Sequence, residues 1–158
     1  MKFLAALATA SALHLRAKTH TQQEKLTTAL IENVKYGNCI TDDGDEVFVT
    51  ECNYEKGSAG RVAQKWHFIA GPDSTVTLEA GTGANPKCLV RGDDDLVTLG
   101  SCDNALVFEW TGPDMVEFKT TDGDCLDPIE KRGATQIGFW ECKGKENQQW
   151  IIDDSYGS

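Results

Sequence analysis

The sequence predicts an all-β, single-domain fold made of three tandem copies of one short unit. Three observations carry this. The six cysteines fall into three successive pairs, Cys39 with Cys52, Cys88 with Cys102 and Cys125 with Cys142, each followed by a tryptophan at Trp66, Trp110 or Trp150. Those tryptophans recur at intervals of 44 and 40 residues, and a period near forty marks a repeat architecture. The 158 residues include 15 glycines. Short runs rich in Val and Thr alternate with Asp- and Gly-bearing turns, which suits strands better than long helices.

In chain order, residues 1–17 come first. Lys2 is followed by a short apolar run from Phe3 to Ala12, with small residues at Ala10-Ser11-Ala12 and Ala17. This is the pattern of a secretory signal peptide, too short to span a bilayer as an anchor. Residues 18–27 read as an N-terminal arm, loose or briefly helical, and residues 28–154 as the repeat domain, divided at about 28–72, 73–113 and 114–154. Each unit begins with an apolar run: Leu30-Ile31, Val76-Thr77-Leu78 or Val116-Glu117-Phe118. Gly71-Pro72-Asp73 and Gly112-Pro113-Asp114 punctuate the junctions. The first copy carries an insertion around Tyr54–Gly60, since Cys52 stands fourteen residues before Trp66, whereas Cys102 and Cys142 stand eight before theirs.

Strand alternation then assigns faces. Three and five residues before the second cysteine of each copy stand Val49 and Val47, Leu99 and Val97, Phe139 and Ile137. All six are apolar and are expected to face the core. The other phase carries Phe48 and Thr50, Thr98 and Gly100, Gly138 and Trp140, and is expected to face solvent or a ligand. Six cysteines in an exported chain point to disulfides rather than to zinc or redox chemistry. Composition leaves fifteen connectivities open. Pairing within each repeat is the economical choice, each bond closing a short loop worth roughly 3 kcal/mol. Long-range pairings would break the threefold regularity.

The copies Cys125-Leu126-Asp127 and Asn147-Gln148-Gln149-Trp150, with their partners in the other repeats, resemble the ricin B-type lectins across residues 28–154. The second copy departs from the pattern, with Phe108-Glu109-Trp110 where Gln-x-Trp is expected. The resemblance implies a β-trefoil, a short barrel capped by three hairpins, with Trp66, Trp110 and Trp150 in its core. It also implies a shallow sugar site in each repeat that keeps three residues: an Asp after Cys-Leu, an aromatic two before the second cysteine, and an Asn before Gln-x-Trp. The third repeat has Asp127, Trp140 and Asn147, with Lys143 and Gln148 as supporting polar contacts. An indole can stack on the C–H face of a sugar, while a carboxylate and an amide bind its hydroxyls. Gly138 stands where the family often has a polar residue, so the site either lacks one contact or has room for a bulkier ligand. The first repeat offers Thr41, Thr50 and Ala63, the second Val90, Gly100 and Val107. Neither supplies a carboxylate, ring or amide, so one site is expected, and a single shallow site binds weakly without avidity.

Plainer readings compete at each position. Trp140 could be a packed aromatic, although Phe139 already takes the inward phase. Asp127 could be a turn residue beside Pro128, and Asn147 a loop brace. Arg91-Gly92-Asp93 and Asp42-Asp43-Gly44-Asp45-Glu46 read as solvated turns rather than a receptor motif or a calcium loop. Gly81-Thr82-Gly83-Ala84 is followed by Pro86 and Cys88 rather than a helix, which argues against a phosphate loop. No Asn-x-Ser/Thr occurs.

The net charge of −10 disfavours nucleic acid and anionic membrane surfaces as partners. Of three histidines, only His67 lies inside the repeats, and neither a nucleophile–base pair nor a metal cluster is apparent, so no enzyme, metal or cofactor is expected. The chain reads as a secreted, monomeric lectin for a glycan or glycoprotein, with a galactose-type sugar implied by the resemblance. The alternative is a secreted trefoil that binds a protein, as a protease inhibitor or host-directed effector, which the enlarged loop Asn53–Arg61 and the two lost sites favour.

Overall fold

The computed structural model describes residues 23–81, 85–131 and 133–156. The leader, the start of the arm with His20, and Thr82–Ala84 lie outside the described residues. Eleven strands run through the described chain: β1 (Lys25–Asn33), β2 (Asn38–Asp42), β3 (Val47–Glu51), β4 (Trp66–Ala70), β5 (Thr75–Ala80), β6 (Lys87–Arg91), β7 (Val97–Ser101), β8 (Phe108–Glu109), β9 (Asp124–Lys131), β10 (Ala134–Glu141) and β11 (Trp150–Asp153). One short helix, α1 (Ala59–Val62), is capped by the Ser58 side chain and occupies the first-repeat insertion. β1 begins at Lys25, so residues 25–27, expected in a loose or helical arm, are strand. Their pairing with β4 explains this, since Lys25 lies opposite Ile69 and Thr27 opposite Phe68. No helix among the described residues is long and apolar enough to cross a membrane.

The pairing closes a barrel. β1 is bonded to β4 and β11, and β5 to β4 and β8. Residues 116–120 complete the ring through the bridge of Phe108 with Thr120 and the 2.7 Å bond from Trp150 N to Val116 O. The hairpins β2–β3, β6–β7 and β9–β10 cap one end. They meet through the bridges Glu46–Thr98 and Leu96–Gly138. The two acidic motifs form hairpin turns here: Gly44 N donates to Asp42 Oδ1, and Gly92 N to Leu96 O. The disulfides are Cys39–Cys52, Cys88–Cys102 and Cys125–Cys142, one per repeat.

The core repeats as well. Ile40, Leu89 and Leu126, each directly after a first cysteine, are fully buried, as are Trp66, Phe108 and Trp150. Phe118 joins Phe68, Phe108 and Trp150 at ring separations of 5.5–6.4 Å. Two expectations need correction. Trp110 is only partly buried and lies against Phe68 at 5.6 Å. Its place in the core is taken by Phe108. Trp66 sits opposite Ala29 and Ala80, and Trp150 opposite Asn33; the corresponding partners in the second repeat, Val76 and Thr120, face Phe108. The second repeat is therefore two residues shorter than its tryptophan suggests, and Leu106-Val107-Phe108 is its counterpart of Gln-x-Trp. Phe108 has no indole N–H. Trp66 Nε1 donates to Ile40 O and Trp150 Nε1 to Leu126 O, whereas the Leu89 carbonyl is met by the backbone N–H of Leu106 at 2.8 Å. Of the six residues assigned inward, five are buried. Phe139 is half-buried: it packs against the core, and the Arg91 guanidinium lies over its ring, 3.6 Å from the centroid. Arg91 is held there by Asp95 and Asp124.

Candidate functional site

The β9–β10 hairpin builds the site from its register. Asp127 lies opposite Gly138 and Trp140 opposite Cys125, so Asp127, Gly138 and Trp140 share the face turned away from the core. Of the four tryptophans Trp140 alone is exposed, at 59%, as the strand phase required. After Cys142 the chain turns at Gly144, whose φ of 63° is the left-handed conformation glycine adopts without strain. It then makes a short 3-10 turn, Glu146–Gln148, which returns Asn147 and Gln148 to the hairpin.

The polar groups are locked together. Asn147 Nδ2 donates to both Asp127 oxygens, at 2.9 and 2.8 Å, and Gln148 Nε2 donates to Asp127 Oδ2 at 3.2 Å. Gln148 Nε2 also donates to Glu141 O at 2.9 Å, and its Oε1 accepts from Lys143 N at 2.7 Å. Gln148 is buried, so it orients Asp127 and ties the loop to β10 from beneath. The Nδ2 group of Asn147 is committed to Asp127, while its side-chain Oδ1 makes no hydrogen bond among the described residues. Asp127 Oδ1, with one bond, retains acceptor capacity. Asp127, Trp140, Lys143, Asn147 and Gln148 all line one shallow depression of about 280 Å³. The five residues picked from the sequence are thus brought together. Gly138 leaves no opening for a larger ligand: it is buried, and Ile129 Cδ1 lies only 3.0 Å from where a Cβ would stand.

Two further residues of the depression, Lys35 and Lys145, were not read from the sequence. Lys35 belongs to the first repeat and arrives through Asn33, which is fully buried. Asn33 Nδ2 donates to Asn147 O at 2.9 Å, and its Oδ1 accepts from the backbone N–H groups of Lys35 and Tyr36. Val34 N adds a bond to Gln149 O at 2.9 Å. The signal available in the sequence was the polar Asn33 in an apolar strand, directly before a turn.

The other repeats show what the third has kept. In the first, Gln64 repeats the brace: Oε1 accepts from Asn53 N at 2.7 Å, and Nε2 donates to Glu51 O, Thr41 and Thr50. The brace holds a Thr41–Thr50 pair at 2.7 Å instead of a carboxylate and a ring. In the second, Leu106 replaces the glutamine, and with the corrected register Ala105, not Val107, stands where Asn147 does.

Solved structures supply the comparison. The C-half of an earthworm R-type lectin, solved with GalNAc, superposes with a TM-score of 0.58 at 14% identity, over 80% of this chain and 98% of that one. The Rhizoctonia solani agglutinin gives 0.60 at 18% identity, over 81% and 94%. The Macrolepiota procera ricin B-like lectin, solved with lactose, gives 0.58 at 19% identity, over 84% and 99%. The fold is the β-trefoil of the ricin B-type lectins. No protein-family model and no curated protein sequence matches the chain. On the β-trefoil, the depression lies on the third hairpin, at the seam where β1 pairs with β11 and the first repeat meets the third.

Proposed function

We propose that this β-trefoil is an exported lectin that binds a galactose-type glycan through its third repeat. One observation carries the reading: an exposed indole, Trp140, shares a depression with a carboxylate, Asp127, already oriented by two amides. A sugar ring needs both elements at once, an apolar plane for its C–H face and fixed polar atoms for its hydroxyls. A carboxylate held by Asn147 and Gln148 has little conformational freedom left to lose when a hydroxyl arrives. The earthworm and Macrolepiota lectins, solved with GalNAc and lactose, support sugar as the ligand class and galactose-type as the first choice. The leader-like residues 1–17 support export. The depression's polar side chains are one carboxylate, two amides and three lysines, with no nucleophile–base pair among them, which supports binding over catalysis.

A glycan array probed with mature, oxidised protein tests the proposal. Binding to galactose-terminated glycans that is lost in Trp140→Ala with the fold intact is the expected result. Silence across the array contradicts it.

A second reading, capture of a protein, is favoured by the first-repeat insertion. There Tyr54 is 45% and Val62 37% exposed around α1, on a repeat that has no sugar-type residues. Inhibition of a protease, or capture of a protein that survives deglycosylation of that partner, would support it.

A further inference from the structure

We propose that the glycan bound here is acidic, carrying a sulfate ester or a sugar carboxylate beside the ring that stacks on Trp140. The proposal rests on the lectin reading and names its ligand class. Three of the residues lining the depression are lysines, Lys35, Lys143 and Lys145, against one acid, Asp127. The chain as a whole has 25 acids to 15 bases, so this rim reverses the sign of the molecule. Asp127 is already bonded to Asn147 and Gln148.

All three lysines are exposed, and none forms an ion pair with a carboxylate among the described residues. Lys87, Arg91, Lys119 and Lys131 are paired with Asp or Glu, while Lys25, Lys56 and Lys65, like the three rim lysines, form no ion pair among the described residues. The nearby acids do not line the depression. Glu32 accepts from the Tyr54 hydroxyl at 2.8 Å, Glu117 Oε1 lies 3.9 Å from where a Cβ on Gly144 would stand, and Glu141 and Glu146, next to Trp140 and Lys145 in sequence, are exposed. The lysines also come from two separate segments. Lys143 and Lys145 flank Gly144 on the loop after Cys142, while Lys35 is carried in by the buried Asn33, bonded to Asn147 O. Lys35 stands 5.0 Å over the Tyr36 ring, which holds its ammonium over an aromatic face. Three lysine side chains thus line the depression that holds Trp140 and Asp127. An ammonium is a compact point charge that attracts an oxyanion without a fixed fork geometry. It therefore suits sulfate and carboxylate alike.

The test is calorimetric titration of the oxidised protein with three matched galactose-terminated oligosaccharides: neutral, sulfated and carboxylate-bearing. Exposed ion pairs are individually weak, so two or three together are expected to favour the acidic ligands by about five- to tenfold at low salt. Raising salt from roughly 50 mM to 500 mM should shrink that ratio toward one, since exposed charges are screened over a few ångströms at the higher value. The sulfated and carboxylate arms show which oxyanion is preferred. In K35Q/K145Q the acidic-to-neutral ratio should fall at least threefold. Equal affinity for neutral and acidic ligands, or an acidic preference unmoved by salt and by K35Q/K145Q, overturns the proposal while leaving the lectin reading standing. No binding of any of the three overturns both.

Discussion

Asp127 accepts from Asn147 on both oxygens and from Gln148 on one, so its charge supports two amides as well as any ligand. Replacing it with Asn keeps the shape and turns part of the acceptor edge into a donor. Asn147 Nδ2 and Gln148 Nε2 would then meet an amide N–H₂. Asp127→Asn is expected to lose about 1.5–3 kcal/mol of stability, the usual range for hydrogen bonds to a charged group, and to weaken sugar binding at least tenfold. Urea denaturation and glycan titration of the same preparation check both; a variant of unchanged stability would mean that the amides are not oriented by the carboxylate. At this scale the site was legible. Cys125-Leu126-Asp127, Trp140 and Asn147-Gln148 are short-range motifs, and alternation alone placed Trp140 outward. What the residues did not disclose was division of labour: Gln148 is spent entirely inside the protein, and Asn147 has only its side-chain Oδ1 left unbonded, because its N–H₂ is taken.

Among the elements, the turn after β1 decides whether Lys35 reaches the third repeat. Asn33 is buried and satisfies Asn147 O, Lys35 N and Tyr36 N. Asn33→Ala leaves these groups without their partner, for an expected loss of about 2 kcal/mol. Chemical denaturation measures it, and amide exchange at Lys35 and Tyr36 should accelerate more than at the far side of the barrel. Exchange that speeds up equally everywhere would argue against a local staple. The second repeat shows where the sequence misled. Cys102 and Trp110 are eight residues apart, as are Cys142 and Trp150, and that coincidence put Trp110 into the core. The barrel needs an apolar ring opposite Val76 and Thr120, not an indole as such, and Phe108 supplies it. A spacing between like residues carries no information about a neighbour of another type that fills the same space. Contacts across the seam, such as that of Lys35, depend on barrel closure and have no counterpart in local spacing.

For the molecule as a whole, three disulfides and a threefold core set a fold that needs few ionic contacts, and its pH response should be traceable to a small number of groups. His67 is half-buried on β4, with Thr28 Oγ1 2.7 Å from its Nδ1. Burial first, then the charge of Lys25, holds the imidazole below its ordinary value; Lys65 adds to this and Glu79 opposes it. The folded state thus binds this proton less readily than the unfolded chain. The stability it contributes is complete above the ordinary histidine value of about 6.5 and is lost as pH falls through that value toward the lower folded one. Thermal unfolding at pH 7.5 and 5 should therefore show a smaller drop in His67→Gln than in the native protein; equal drops would exclude His67 as a source. The central claim, that the third repeat presents one sugar platform, has a direct optical readout, because Trp66 and Trp150 are fully buried, Trp110 is partly covered and Trp140 is open to water. Iodide quenching of tryptophan fluorescence, followed while a galactose-terminated oligosaccharide is titrated in, should begin with one accessible indole and end with it shielded, and Trp140→Phe should abolish both the initial quenching and its loss. Saturable sugar binding that leaves iodide access to Trp140 unchanged would contradict the account.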